Sequence, residues 1–134
     1  MKSKGTRAER ELLHLFWEND WAAMRAAGSG STSRPSPDLL ASKNNKTYAI
    51  ECKSIKSERH HFKKEELEQL KLFSNLFGAT AIIGIRFDNL GWHFLKAEEL
   101  IPNKTGNYSV SLKLAQEEGI KFQKLIDKYK QVRL

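Results

Sequence analysis

The stretch Pro37-Asp38-Leu39-Leu40-Ala41-Ser42-Lys43-Asn44-Asn45-Lys46-Thr47-Tyr48-Ala49-Ile50-Glu51-Cys52-Lys53 decides how this chain folds. Two strand-like runs, residues 38–42 and 46–54, flank Lys43-Asn44-Asn45, so the segment reads as a β-hairpin. Side chains alternate across a strand, which puts Ala49, Glu51 and Lys53 on one face and Tyr48, Ile50 and Cys52 on the other. One face packs while the other carries charge.

Upstream of the hairpin, Ala8, Leu12, Leu13, Leu15, Phe16 and Trp17 recur mainly at helical spacing and predict an amphipathic helix over residues 5–19. A short strand candidate follows at residues 21–26. The glycine-, serine- and proline-rich residues 28–37 then read as a loop. Downstream, residues 63–77 predict a second helix closed by Gly78. Residues 79–87 are an almost wholly apolar strand broken by Gly84, and residues 92–96 form a further strand after a turn at Asp88 to Gly91. Residues 112–129 predict a helix interrupted at Gly119. The order α, β, β, β, α, β, β, α implies an α/β fold, a central mixed sheet flanked by helices. A helical crossover after Lys53 makes the strand at 79–87 parallel to the one at 46–54.

Length and composition fit one domain over residues 1–134, with 40% hydrophobic and 29% charged residues. No apolar run nears the ~18 residues needed to cross a bilayer. The amino terminus carries Lys2, Lys4 and Arg7 without an apolar run behind them, so a cytoplasmic protein with no membrane partner is expected. Cys52 is a single cysteine, which excludes an intramolecular disulfide and a zinc cluster and suits a buried strand position. Lysine and arginine outnumber aspartate and glutamate by 23 to 16, a net charge of +7 that favours a polyanionic partner.

The spacing Pro37-Asp38, twelve residues, Glu51-Cys52-Lys53 is the pattern PD…ExK. Pairing of the hairpin strands brings Asp38 to Glu51. Two carboxylates of that kind suit a hard, oxygen-seeking cation such as Mg²⁺, and Lys53 beside Glu51 can orient an attacking water or meet charge developing on a phosphate. The pattern alone is loose, because Glu51 and Lys53 on a solvated strand would merely pair, a contact worth ~0–1 kcal/mol. Glu9 adds a third acid, four residues before Leu13 and seven before Phe16, at the edge of the apolar stripe facing the sheet. Basic residues flank these acids: Lys2, Lys4, Arg7 and Arg10 ahead of or within the first helix, and Lys56, Arg59, Lys63 and Lys64 after the second hairpin strand. The adjacent His60 and His61 lack the geometry to chelate together, and Trp92 reads as a core residue.

The chain resembles the archaeal-type Holliday junction resolvases (Hjc/Hje-like) within the restriction-endonuclease-like PD-(D/E)xK nuclease superfamily. The resemblance rests on Lys4-Gly5-Thr6-Arg7-Ala8-Glu9-Arg10-Glu11-Leu12, Arg25-Ala26-Ala27-Gly28-Ser29, Pro37-Asp38, Ile50-Glu51-Cys52-Lys53, and Phe73-Ser74-Asn75-Leu76-Phe77-Gly78 followed by Gly91-Trp92. It implies a homodimeric endonuclease that nicks two opposing strands of a four-way DNA junction, with one or two Mg²⁺ per site and Mn²⁺ able to substitute. Carried over position by position, it implies Glu9, Asp38 and Glu51 as metal ligands, Lys53 as support for the nucleophile or transition state, and Ser29 as a catalytic-loop residue, with Ser31 and Ser33 in the same loop. Arg10 and Arg25 match DNA-contacting positions, and Lys4, Arg7, Lys56, Arg59 and Lys63 extend that basic surface. The residues from Gly28 to Asp38 span a longer loop than in the shorter family members.

The second helix carries more apolar surface than one core needs. Leu67, Leu70 and Phe77 form one stripe, Leu72, Phe73 and Leu76 spread across another side, and the family resemblance places Phe73 and Phe77 at a dimer contact. Two rival functions remain distinguishable: a nuclease of the same superfamily acting on duplex, flap or damaged DNA, and a catalytically inert DNA-binding module.

Overall fold

A computed structural model describes residues 4–26 and 34–127. Ser29, Ser31, Ser33 and Lys2 lie outside the described residues, as does the side chain of Lys4.

The elements follow the chain as α1 (Lys4–Glu18), β1 (Ala22–Arg25), β2 (Leu39–Lys43), β3 (Lys46–Ile55), β4 (Arg59–Phe62), α2 (Lys64–Phe77), β5 (Thr80–Phe87), β6 (Gly91–Lys96), a 3₁₀ turn (Ala97–Glu99), β7 (Tyr108–Ser111), α3 (Leu112–Glu118) and α4 (Phe122–Ile126). The main sheet has the order β1-β2-β3-β5-β6. The hairpin expected from the sequence is there, with Leu39 opposite Ile50 and Lys43 opposite Lys46. Its turn is the pair Asn44-Asn45, and Asn44 holds the left-handed backbone (φ 57°) that asparagine tolerates. The α2 crossover makes β3 and β5 parallel, Glu51 lying opposite Ile83 and Lys53 opposite Ile85, and β6 returns antiparallel to β5.

The period-2 pattern of β3 divides the core in two. Tyr48, Ile50 and Cys52 face α1 and pack with Ala8, Leu12 and Phe16, whereas Ala49 faces α2 and packs with Leu67 and Leu70. Leu12 and Phe16 are fully buried, and burying a side chain of that size stabilises the fold by about 1.5–3 kcal/mol. Trp21 stacks on Tyr48 at 5.4 Å, and the Tyr48 hydroxyl donates to the Leu125 carbonyl at 3.0 Å, tying α4 to the sheet. Cys52 and Trp92 are buried, as the sequence implies.

Two features differ from the sequence reading. A two-stranded ribbon, β4 with β7, sets His60 opposite Val110, and it is not legible as strand because β4 is short and charged. In α2 the buried face is Leu67, Leu70 and Ser74, while Phe77 is 54% exposed and stacks on Phe73, so Phe77 belongs to the outer face and not to the Leu67 stripe. The interruption expected at Gly119 is there: α3 ends at Glu118, and the extended chain at Gly119 lets Ile120 bridge to Phe94 and cover the β6 edge before α4 begins. A Cβ on Gly119 would lie 2.5 Å from the Ala115 carbonyl oxygen. Gly119→Ala is expected to lower stability by about 1–3 kcal/mol through forced backbone movement, measured by urea denaturation. An unchanged midpoint would show that the junction between α3 and α4 yields freely.

Candidate active site

β3 outruns β2. The ladder between them begins at Leu39 and Ile50, so beyond Ile50 the β3 backbone has no β2 partner on that side. Asp38 fills the gap. Its backbone N–H donates to the Ile50 carbonyl at 3.0 Å, and its Oδ2 accepts from the Cys52 N–H at 2.8 Å. The carboxylate is thereby fixed at the open end of the hairpin, beside Glu51. Glu9 approaches from the α1 side and Glu51 from the α2 side, and the charge of Glu9 reaches Glu51.

The acids disturb one another. Burial raises the Asp38 carboxyl above its ordinary range, opposed by the Cys52 N–H and the Lys53 charge. Burial and then the neighbouring Asp38 push Glu51 up to about 8, with smaller contributions from Glu66 and Glu9 and an opposing one from Lys53. Glu9 is also raised, by burial and by Asp38, against the pull of Arg25. Contact between the Asp38 and Glu51 carboxyls is a hydrogen bond only while one of them keeps a proton.

Lys53 Nζ lies 3.8 Å from Glu51 Oε2 and 3.5 Å from Glu66 Oε2, so the ammonium sits between β3 and α2. Glu9 Oε1 accepts from Arg25 Nε at 3.2 Å and from its terminal nitrogen at 2.9 Å. That pair engages one Glu9 carboxylate oxygen. Among the described residues no three acidic, histidine or cysteine side chains converge on a single point as they stand. Asp38 and Glu51 still fit a divalent cation: both are hard oxygen donors whose shared negative charge is only partly offset, and ions such as Mg²⁺ take one or two carboxylates and complete their shell with water and phosphate.

The basic residues fall in separate places. Arg7 and Lys56 line a cleft with Glu11, Ser54, Arg86 and Asp88. Arg10 is exposed on α1. Arg25 is engaged by Glu9, Arg59 donates to the Ser109 hydroxyl at 3.0 Å, and Lys63 precedes α2 as its N-cap. Glu66 and the cluster of Glu11, Arg86 and Trp92 are not evident from sequence. Arg86 Nε and Trp92 Nε1 each donate to Glu11 Oε1 at 2.7 Å, fastening α1 to the end of the sheet.

The family model described as archaeal Holliday junction resolvase (Hjc) matches residues 1–134. The crossover junction endodeoxyribonuclease Hjc of Archaeoglobus fulgidus is 38% identical over 130 residues, covering 92% of this chain and 95% of the relative. The protein of the same name from Methanocaldococcus jannaschii is 28% identical, covering 98% of this chain and 92% of the relative. The solved structure of Archaeoglobus fulgidus Hjc, a Holliday junction resolvase, superposes with a TM-score of 0.82 at 31% identity, covering 92% of this chain and 95% of that one. The mixed sheet between helices is therefore the restriction-endonuclease-like fold, and this chain belongs to the archaeal Holliday junction resolvase family.

Proposed function

We propose that the protein is a structure-selective endonuclease that resolves four-way DNA junctions by hydrolysing a phosphodiester in each of two opposing strands, with Mg²⁺ as its metal and Mn²⁺ as a substitute. The observation that carries this reading is the meeting of Asp38, Glu51 and Lys53 at the open end of the β2–β3 hairpin in a chain of this family. Asp38 and Glu51 would hold the metal, with Glu9 as a third ligand. The metal would supply charge neutralisation and Lewis acidity at the scissile phosphate. The Cys52 N–H keeps the Asp38 carboxylate aimed into the site, and the Lys53 ammonium is placed to meet the charge that builds on the phosphate as water attacks in line. Arg7, Arg10, Lys56, Arg59 and Lys63, in their separate places, would each meet a phosphate of the arms, contacts that read branched shape and not base edges. Arg25 and Lys4 are further candidates for DNA contact, and Ser29 for a catalytic role.

A two-fold dimer would present one active site to each of the two strands. The outer face of α2 exposes Leu72, Leu76 and Phe77, and apolar grooves continue from it past Arg34 and Pro35 on one side and to Trp17, Ala23 and Met24 on the other. An apolar face of this extent suits a two-fold interface centred on Phe73 and Phe77.

The test is cleavage of an immobile four-way junction, a flap, a nicked duplex and a linear duplex of matched sequence with Mg²⁺. Symmetric nicks are expected in the junction, at a rate at least about 100-fold above linear duplex, which corresponds to roughly 3 kcal/mol of discrimination in the barrier. Equal cutting of linear duplex would instead favour a general duplex nuclease.

A further inference from the structure

Lys53 has acidic partners on two elements. Glu51 is its neighbour on β3, and Glu66 reaches it from the first turn of α2 with the shorter separation, 3.5 Å against 3.8 Å. The two oxygens of Glu66 have different work. Oε1 accepts from the Lys63 backbone N–H at 2.9 Å, closing the start of α2, while Oε2 faces the ammonium. A carboxylate at this third helical position normally satisfies only the helix start. Here the helix start is itself placed by the ribbon, because the Lys64 N–H donates to Asn107 Oδ1 at 2.9 Å and the ribbon strands hold residues 59–62 against 108–111. Glu66 therefore stands on a fixed support, and its charge also acts on Glu51 and on the half-buried His60.

We infer that Glu66 is a positioning residue of the cleavage reaction: its Oε2 holds the Lys53 ammonium beside Glu51 while its Oε1 fixes the first turn of α2. This inference rests on the proposed active site. Within that site Glu51 would hold the metal, which leaves Glu66 as the carboxylate that keeps Lys53 in place. Lysine is a flexible four-carbon stem, and an ammonium without a fixed carboxylate samples many rotamers. An ångström of misplacement at a reacting centre is enough to slow chemistry markedly.

The geometry also supplies a way to separate the two tasks. Glutamine retains a carbonyl oxygen that can accept from the Lys63 N–H, so Glu66→Gln keeps the helix start and removes the charge from Lys53. Glu66→Ala removes both. Four variants, Glu66→Gln, Glu66→Ala, Lys53→Ala and Lys53→Ala with Glu66→Gln, are measured for thermal midpoint, junction affinity and single-turnover rate at saturating enzyme and Mg²⁺. Glu66→Gln is expected to keep the wild-type midpoint and junction affinity and to lose about 10-fold in rate, whereas Glu66→Ala also melts earlier. In the Lys53→Ala background Glu66→Gln should cost nothing further, because its effect passes through Lys53. A wild-type rate for Glu66→Gln overturns the inference, as does an equal loss in both backgrounds. Activity surviving in Glu51→Gln would instead overturn the active site itself, so the two failures are distinct.

Discussion

Replacing Glu51 by glutamine is expected to abolish junction cleavage while making the metal-free protein more stable at alkaline pH. The loss of activity should reach at least about 10³-fold, or roughly 4 kcal/mol of barrier, if Glu51 is the metal-holding carboxylate proposed above. Junction affinity should stay within about threefold, because the substitution leaves every basic residue in place. The gain in stability follows from the sign of the Glu51 shift. Burial and Asp38 raise this carboxyl from an ordinary 4.5 to about 8 in the folded protein. A group raised on folding contributes stability that is fully present below its unfolded value and is lost as pH climbs through the folded one. Metal-free wild type should therefore lose stability between about pH 4.5 and pH 8 and above. Glutamine mimics the protonated form and escapes that loss, by on the order of 1–3 kcal/mol at pH 8.5 after allowance for solvent and for Lys53 nearby. Thermal denaturation in a chelator at pH 5 and pH 8.5 reads the difference, which should all but vanish at the lower pH. Added Mg²⁺ should raise the midpoint of wild type and leave the variant unmoved. A variant that is less stable at both pH values, or that still cuts, would refute the placement of Glu51.

The second large effect concerns assembly. Leu76 is 80% exposed in the single chain, so Leu76→Asp should leave the folded monomer intact. If the outer face of α2 is the two-fold contact, the same change puts two carboxylates into an apolar interface and weakens association by at least about 100-fold, some 3 kcal/mol. Sedimentation at micromolar concentration should show the mass halve, and paired nicking of a junction should fall with it. Phe73 is a poorer probe, since it also packs against the Leu67 side of the core. A wild-type monomer, or a variant that remains dimeric, would remove α2 from the interface.

Much of the fold is legible in the residues alone. The hairpin, its turn, the parallel crossover and the two faces of β3 follow from alternation and turn chemistry, which act between neighbours a few residues apart. The acids are legible as residue types at a spacing, and Asp38 falls where the hairpin pairing requires. The ribbon is not legible in β4, whose Arg59, His60 and His61 read as a basic cluster, although Tyr108 and Val110 in β7 do alternate with serines.

What the sequence by itself determined is the set of main-sheet strands and helices, their order, the sheet topology near the site and the choice of Asp38, Glu51 and Lys53 as its centre. These depend on local periodicity and on pairing across one short turn. Only the tertiary structure decided that Glu9 faces Arg25, that Lys53 is shared with Glu66, that Phe77 turns outward with Leu76, and that Ile120 leaves the last helix to bridge Phe94. Each of these joins residues from separate elements or selects one side of a helix. Such choices are made by how helices and strands pack and by where a charge finds its counter-charge, and neither is encoded in the spacing of residues along one segment.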